Sequence, residues 1–299
     1  MRKHRSGVLG AILVALALLA AACGSGEDAT TDGPTITVGS GNFSENALVA
    51  EIYAQVLEGE GYSVDRNLFV GARDVYAAAL ESGELDLVPE YVGTALSFLG
   101  GTPSSDSEAT AQALADAWAA AGIAVLDPAE AQDKNGIVVR QDTADALGLS
   151  KISDLANHTD LVFGGPPECP EREFCMIGLE SVYGLSFAEF KPLDVGGALT
   201  VAALEEDAIQ VALLFTSDGV IAAKGFVLLE DDKGLQPAEN LTPVIRQEIL
   251  DAYDDNLVNA LNGVSAELTT AELSEMNRRI GIDGDDPEQV AADWIAENL

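Results

Sequence analysis

The sequence predicts an α/β protein of two lobes, and three observations carry that prediction. Apolar runs of strand type alternate with segments of helical period through most of the chain. The first set has the order strand, helix, strand, helix, strand, which implies parallel strands with helices on both faces. The pattern breaks at Asp127-Pro128 and begins again from Gly136, and 299 residues with 47% hydrophobic content suffice for two cores.

Ile36 and Val38 share one face of the first strand. Ser44 then precedes a helix in which Leu48, Ile52 and Val56, with Val49, Tyr53 and Leu57, recur every four residues until Gly59 and Gly61 stop it. A strand from Val64 to Val70 passes through Gly71 into a helix from Asp74 to Ser82, closed by Gly83, and Leu85 to Val88 is a third strand. An Ala-rich helix (Glu108 to Ala121) and a strand (Ile123 to Leu126) complete the first set. In the second set, strands are expected at Ile137 to Val139 and Leu161 to Phe163, and helices near Thr143 to Leu147 and Met176 to Tyr183. Ile209, Val211, Leu213 and Phe215 alternate as a strand that turns out through Thr216-Ser217-Asp218-Gly219. After a strand from Phe226 to Leu229 helices dominate, with a capping box at Thr269 and Glu272 and an Asp286-Pro287 helix start.

The segment before the first strand is read as a targeting device. Arg2, Lys3 and Arg5 precede an apolar run from Val8 to Ala22 that is too short to span a bilayer comfortably, so residues 1–22 form a secretory signal. The run ends in Leu19-Ala20-Ala21-Ala22-Cys23, which resembles the bacterial lipobox, making Cys23 the lipidation site and the outer face of the cell membrane the expected location. Residues 23–34 have no apolar residue but Ala29 after the cysteine and serve as a flexible tether.

Net charge excludes one partner class. The formal −35 becomes −38 when the three basic residues of the signal leave, so nucleic acid is not a partner. Cys169 and Cys175 are left six residues apart in a Pro-rich loop of an exported chain, which favours a local disulfide. A metal site lacks ligands, since His158 is the only mature histidine and no second cysteine pair exists; no cofactor is expected.

The first strand runs into Gly39-Ser40-Gly41-Asn42-Phe43-Ser44, small and polar, at a helix start. These residues read equally as a ligand loop and as a plain strand-to-helix connection, but ligands in such sheets gather at the carboxyl ends of strands. The blocks ITVGSGNFSEN and EYVGTAL, continuing through KISDLA, the ECPEREFC loop, VYGLSF and FTSDG, resemble the substrate-binding proteins of ABC importers for osmoprotectants such as glycine betaine, choline and carnitine. The resemblance covers nearly the whole mature chain. It implies a type II periplasmic-binding-protein fold: one lobe from residues 35–133 and 222–299, the other from 134–221, crossings near Asp133-Lys134-Asn135 and just beyond Asp218, and closure on a small solute. It further implies delivery to a permease and, through it, to an ATPase.

In that family aromatic rings hold the trimethylammonium group and polar side chains take a carboxylate. Tyr91 and Thr94 match the motif tyrosine and hydroxyl, and Arg172 falls where an arginine clamps ligand from the other lobe. Ser40, Asn42, Phe43, Asp133, Asn135, Phe215, Thr216 and Asp218 complete the expected ligand set. Gly41, Asn135 and Phe215 stand where relatives carry other residues, so several cage rings are missing; Tyr183, Phe187 and Phe190 are alternative rings. Two other readings remain open: an extracellular hydrolase working through an acid pair, with Glu90 and Asp86 the nearest candidates, and a ligand sensor uncoupled from transport.

Overall fold

The structure, a computed structural model, describes residues 33–299; the signal, Cys23 and almost all of the tether lie outside the described residues. The chain runs β1 (Ile36–Gly41), α1 (Ser44–Gly59), β2 (Val64–Gly71), α2 (Arg73–Ser82), β3 (Leu87–Tyr91), α3 (Val92–Phe98), α4 (Ser107–Trp118) and β4 (Ile123–Val125). There follow β5 (Asn135–Arg140), α5 (Gln141–Leu147), β6 (Val162–Gly165), α6 (Met176–Tyr183), β7 (Glu189–Pro192), α7 (Ala198–Glu205), β8 (Val211–Phe215), α8 (Gly219–Ala223) and β9 (Phe226–Leu229). The last elements are β10 (Leu241–Arg246), α9 (Gln247–Ala252), α10 (Asp255–Glu267), α11 (Thr270–Arg278) and α12 (Pro287–Asn298).

Local chemistry sets several boundaries. Gly83 closes α2 in the left-handed region at φ 82°, where a side chain is disfavoured. The Thr269 hydroxyl and the Glu272 carboxylate cap α11 reciprocally, and Asp286 accepts from Glu288 N–H with Pro287 in the first turn of α12, both as expected from sequence. Helix α1 is buried without a break from Glu45 to Ala54, because it lies between a sheet on one side and α10 and α12 on the other.

Ten strands form two five-stranded sheets, ordered β2-β1-β3-β10-β4 and β7-β6-β8-β5-β9. The parallel β1, β2 and β3 agree with the βαβαβ expectation, but both sheets are mixed: β10 runs antiparallel to β3 and β4, and β5 antiparallel to β8 and β9. The two orders are one pattern. In each, the antiparallel fourth strand is the one that enters directly from the other half of the molecule. Each sheet is buried on both faces: Ile36, Leu48, Ile52 and Leu261 cover one face of the first, Leu80, Leu85, Val88 and Trp118 the other. Phe163, Val211 and Leu213, then Val138, Ala212 and Leu214, do the same for the second sheet. Each fully buried aliphatic side chain contributes about 1.5–3 kcal/mol relative to exposure, so the halves carry separate cores.

The chain crosses between sheets at 129–134 and again at 236–241. These segments run antiparallel and bond to each other: Gln132 bridges Asn240, Asp133 N–H donates to Glu239 O at 3.2 Å, and Leu241 N–H to Ala131 O at 2.9 Å. The first crossing runs straight into β5 at Asn135. The second lies beyond the expected position just past Asp218, because β9 pairs with β5 over Phe226–Leu229 and thereby extends the second half to about residue 230.

Candidate functional site

The carboxyl ends of β3, β6 and β8 point toward the same gap between the sheets, and the antiparallel β5 and β10 deliver their starting ends, with the two crossings, to that gap. A cavity of about 580 Å³ occupies it, a size usual for small-molecule sites. Phe43, Tyr91 and Thr94 line it from the first half; Asn135, Arg172 and Phe215 line it from the second, with Asp133 at the crossing. A second cavity of about 490 Å³ adjoins it, shares Phe43, Asp133 and Phe215, and reaches Asp218 and Asn277.

Not every expected residue reaches these cavities. Ser40 is fully buried, donates to Gly41 O and accepts from Phe69 N–H, so it shapes the loop from behind. Asn42 is exposed and lines neither cavity. Thr216 is turned to the backbone, its hydroxyl accepting from Lys134 N–H at 2.8 Å and donating to Gln132 O at 3.2 Å. The alternative rings also pack elsewhere: Phe187 and Phe190 against Phe163, and Tyr183 over Lys233 with its hydroxyl on Asp231.

Several wall residues were not anticipated. Phe174 adds a fourth ring, and Arg73, Glu173, Gln236 and Glu239 line the same cavity. Phe174 sits one residue before Cys175, which is bonded to Cys169 as expected. Its carbonyl accepts from Asn135 Nδ2 at 3.2 Å and Gln236 Nε2 at 3.0 Å, so the disulfide and both crossing strands fix the loop that carries Arg172, Glu173 and Phe174. An aromatic residue next to Cys175 was the one signal available in the sequence.

The rings of Phe43 and Tyr91 stack with centroids 6.1 Å apart and planes inclined by 29°. Tyr91 is 5% exposed whereas Phe43 is 41% exposed, so one ring is built into the wall and the other stands at the opening. The Tyr91 hydroxyl donates to Glu45, whose second oxygen accepts from Asn277 Nδ2 at 2.6 Å. Asn277 Nδ2 also donates to Ser217 O at 3.0 Å, and Ser217 Oγ donates to Asp133 at 2.8 Å, so one hydrogen-bonded chain links both halves.

Burial sets the ionisation of the acidic groups around the cavity. Burial, with the charge of Glu45, holds the Asp133 carboxyl well above the usual carboxylate range despite the bond from Ser217. Burial likewise pushes Asp218 up to about 6 against the bond from Phe215 N–H, and the charge of Glu45 adds to the shift. A cation entering beside these groups stabilises their ionised forms and displaces their protons. Burial and the charges of Glu45 and Asp133 keep the Tyr91 hydroxyl protonated and thus a donor. Among the described residues no group of His, Cys, Asp and Glu is arranged to hold a metal ion, and no helix is long and apolar enough to cross a membrane. The hydrolase candidates are committed elsewhere: Asp86 pairs with Arg246 at 3.1 Å, and Glu90 with Arg73 at 3.0 Å.

Residues 34–297 match the family described as the substrate-binding domain of the ABC-type glycine betaine transport system, OpuAC. The chain is 29% identical over 275 residues to the glycine betaine-binding protein YehZ of Escherichia coli, covering 88% of this chain and 90% of that one. It is 27% identical over 277 residues, 88% of each chain, to the glycine-betaine-binding protein of Pseudomonas aeruginosa. Among solved structures, one of a glycine betaine/carnitine/choline ABC transporter superposes with a TM-score of 0.82 at 23% identity, over 89% of this chain and 98% of that one, which speaks to the fold alone. The apo YehZ structure from Escherichia coli superposes with a TM-score of 0.74 at 29% identity, over 88% and 98%.

Proposed function

The chain belongs to the family of substrate-binding domains of ABC-type glycine betaine transport systems, whose members are solute-binding proteins of importers and not enzymes, and from that premise we propose that it captures a quaternary ammonium solute outside the cell. The acid-pair hydrolase alternative falls with that membership. The observation that carries the proposal is the cavity between the sheets, where the rings of Phe43, Tyr91, Phe174 and Phe215 stand together with the carboxyl groups of Asp133 and Glu239. Ring faces attract a methylated ammonium group that cannot donate hydrogen bonds, and a nearby carboxylate adds charge. The two halves close on the solute by bending at the paired crossings, 129–134 and 236–241, and the closed form is handed to the permease.

Thermal unfolding in the presence of choline, glycine betaine, carnitine, free amino acids and aromatic glycosides tests this reading. A solute bound by the native state alone adds about 2.7 kcal/mol of stability at a hundred times its dissociation constant, so quaternary ammonium compounds should raise the melting temperature in proportion to the logarithm of concentration. If none of them does and a compound of another class does, the assignment of solute fails.

We further propose that the mature protein is anchored through lipid on Cys23, on the strength of the basic start, the short apolar run and the small residues before that cysteine. A single acyl chain holds a protein only marginally on a membrane, whereas two or three hold it firmly. Cys23→Ala should therefore leave the membrane fraction or remain unprocessed; a variant that matures and fractionates like the wild type defeats the proposal.

A further inference from the structure

On the reading of the cleft as a quaternary ammonium site, the hydrogen-bond commitments of its wall narrow the solute further. Most of the donors that a ligand carboxylate would need are already engaged within the protein. Thr94 N–H donates to one oxygen of Glu239 at 3.0 Å and the Thr94 hydroxyl to the other at 2.7 Å. Arg73 Nε and Nη2 are both held by Glu90 at 3.0 Å, and the Tyr91 hydroxyl is held by Glu45. The side-chain amides of Asn135 and Gln236 donate to Phe174 O.

Glu239 cannot easily withdraw. Its carbonyl accepts from Asp133 N–H in the crossing pair, so its backbone is tied to the hinge. Its neighbour Ala238 approaches Gly93 so closely that a Cβ there would lie 2.3 Å from Ala238 O and 2.9 Å from Glu239 Oε1; a bare residue 93 is what lets the strand and its carboxylate reach Thr94. A second carboxylate brought to Thr94 would meet like charge at hydrogen-bond distance. Arg172, on the opposite wall, is the remaining guanidinium; it is 61% exposed and pairs only loosely with Glu168, at 3.8 Å.

We propose that Glu239 is a built-in counter-anion occupying the place of a ligand carboxylate, so that the site selects a quaternary ammonium alcohol of the choline class over its carboxylate counterpart of the betaine class. The cationic head lies among the rings of Phe43, Tyr91, Phe174 and Phe215, and the neutral tail faces Glu239 as a hydrogen-bond donor. Choline and glycine betaine share the trimethylammonium group and differ in this tail, which makes them a matched pair of probes.

Calorimetric titration of the mature protein with each compound tests the proposal. Choline should bind at least about tenfold more tightly than glycine betaine, the scale expected for a like-charge conflict at a half-buried position. Glu239→Gln removes the charge with little change of shape, and should narrow or reverse that ratio by raising betaine affinity while lowering choline affinity; unchanged circular dichroism and melting cooperativity would show that it folds. Glycine betaine binding as tightly as choline in the wild type overturns the proposal, as does a ratio untouched by Glu239→Gln, or betaine binding that Arg172→Ala abolishes. If neither compound binds and the wild type instead takes a solute of another class, the quaternary ammonium reading itself has failed and this proposal with it.

Discussion

Replacing Tyr91 by alanine is expected to cost binding of the quaternary ammonium solute about 1–2 kcal/mol or more, while phenylalanine at the same place costs much less, because the ring face is what the cation meets. The structure adds a stability term that the two variants do not share. Tyr91 is buried in the first core beside Leu48 and Leu87, and truncating a buried aromatic side chain to alanine costs about 3–5 kcal/mol. Phenylalanine keeps the packing and removes one donor from Glu45, which retains the bond from Asn277 at 2.6 Å, so its cost is about 1–3 kcal/mol. Denaturant unfolding therefore has to precede calorimetry, and the alanine variant has to be titrated well below its new melting temperature. Wild-type affinity in a folded Tyr91→Ala protein would move the solute out of this cavity. Equal losses in both variants would show that the hydroxyl and its chain through Glu45, Asn277 and Ser217 hold the solute in place of the ring.

The parts of the fold that were legible in the sequence are those whose burial forces a pattern. Strands β5 and β6 read as apolar runs because they lie between two layers, and α6 is bounded as expected because Gly184 adopts φ 71° after it. The strand β10 was missed, and Pro243 is the reason: a proline in a central strand argues against the strand. The sheet tolerates it because Pro243 faces Pro89 across β3 at a position where both carbonyls turn outward, to Leu126 N–H and to Asn46 Nδ2, so neither strand asks the other for an N–H. The short edge strand β7, Glu189–Pro192, carries charge and proline and gives no apolar signal. The second crossing was placed too early because the Thr216-Ser217-Asp218-Gly219 turn has the composition of an exit, whereas the true crossing is the polar stretch after Gly234. The site was legible where a motif named it, at Tyr91 and Thr94. It was not legible at Glu239 or Arg73, since a carboxylate or guanidinium becomes part of a wall only through the partner that holds it, and those partners lie 145 and 17 residues away.

Glu90→Ala is expected to destabilise the protein by about 3–5 kcal/mol, the range for removing one partner of a buried ion pair and leaving the other without compensation. Glu90 is fully buried at the end of β3 and accepts four groups: Arg73 Nε and Nη2, the Tyr76 hydroxyl at 2.8 Å and Tyr91 N–H at 3.0 Å. An intact pair of this kind is no proof of net stabilisation, because desolvating both charges offsets much of their attraction. The asymmetry appears on breaking it, when Arg73, with only 20% of its side chain exposed, keeps its charge and loses its partner. Arg73→Met combined with Glu90→Ala should therefore recover a substantial part of the loss, and a double-mutant cycle measured by urea midpoint at constant slope gives the coupling. The same substitution bears on the solute. With Glu90 gone, Arg73, which lines the cavity, has its Nε and Nη2 free, and it lies close enough to Glu239 to be felt by that carboxyl, whose titration burial otherwise drives upward. Glu90→Ala should then improve glycine betaine binding relative to choline, through a residue that sits behind the wall and touches neither solute. A loss of stability under about 1 kcal/mol would mean that the pair behaves as an exposed one, and an unchanged betaine-to-choline ratio in a folded variant would mean that Arg73 does not turn toward the cavity when it is released.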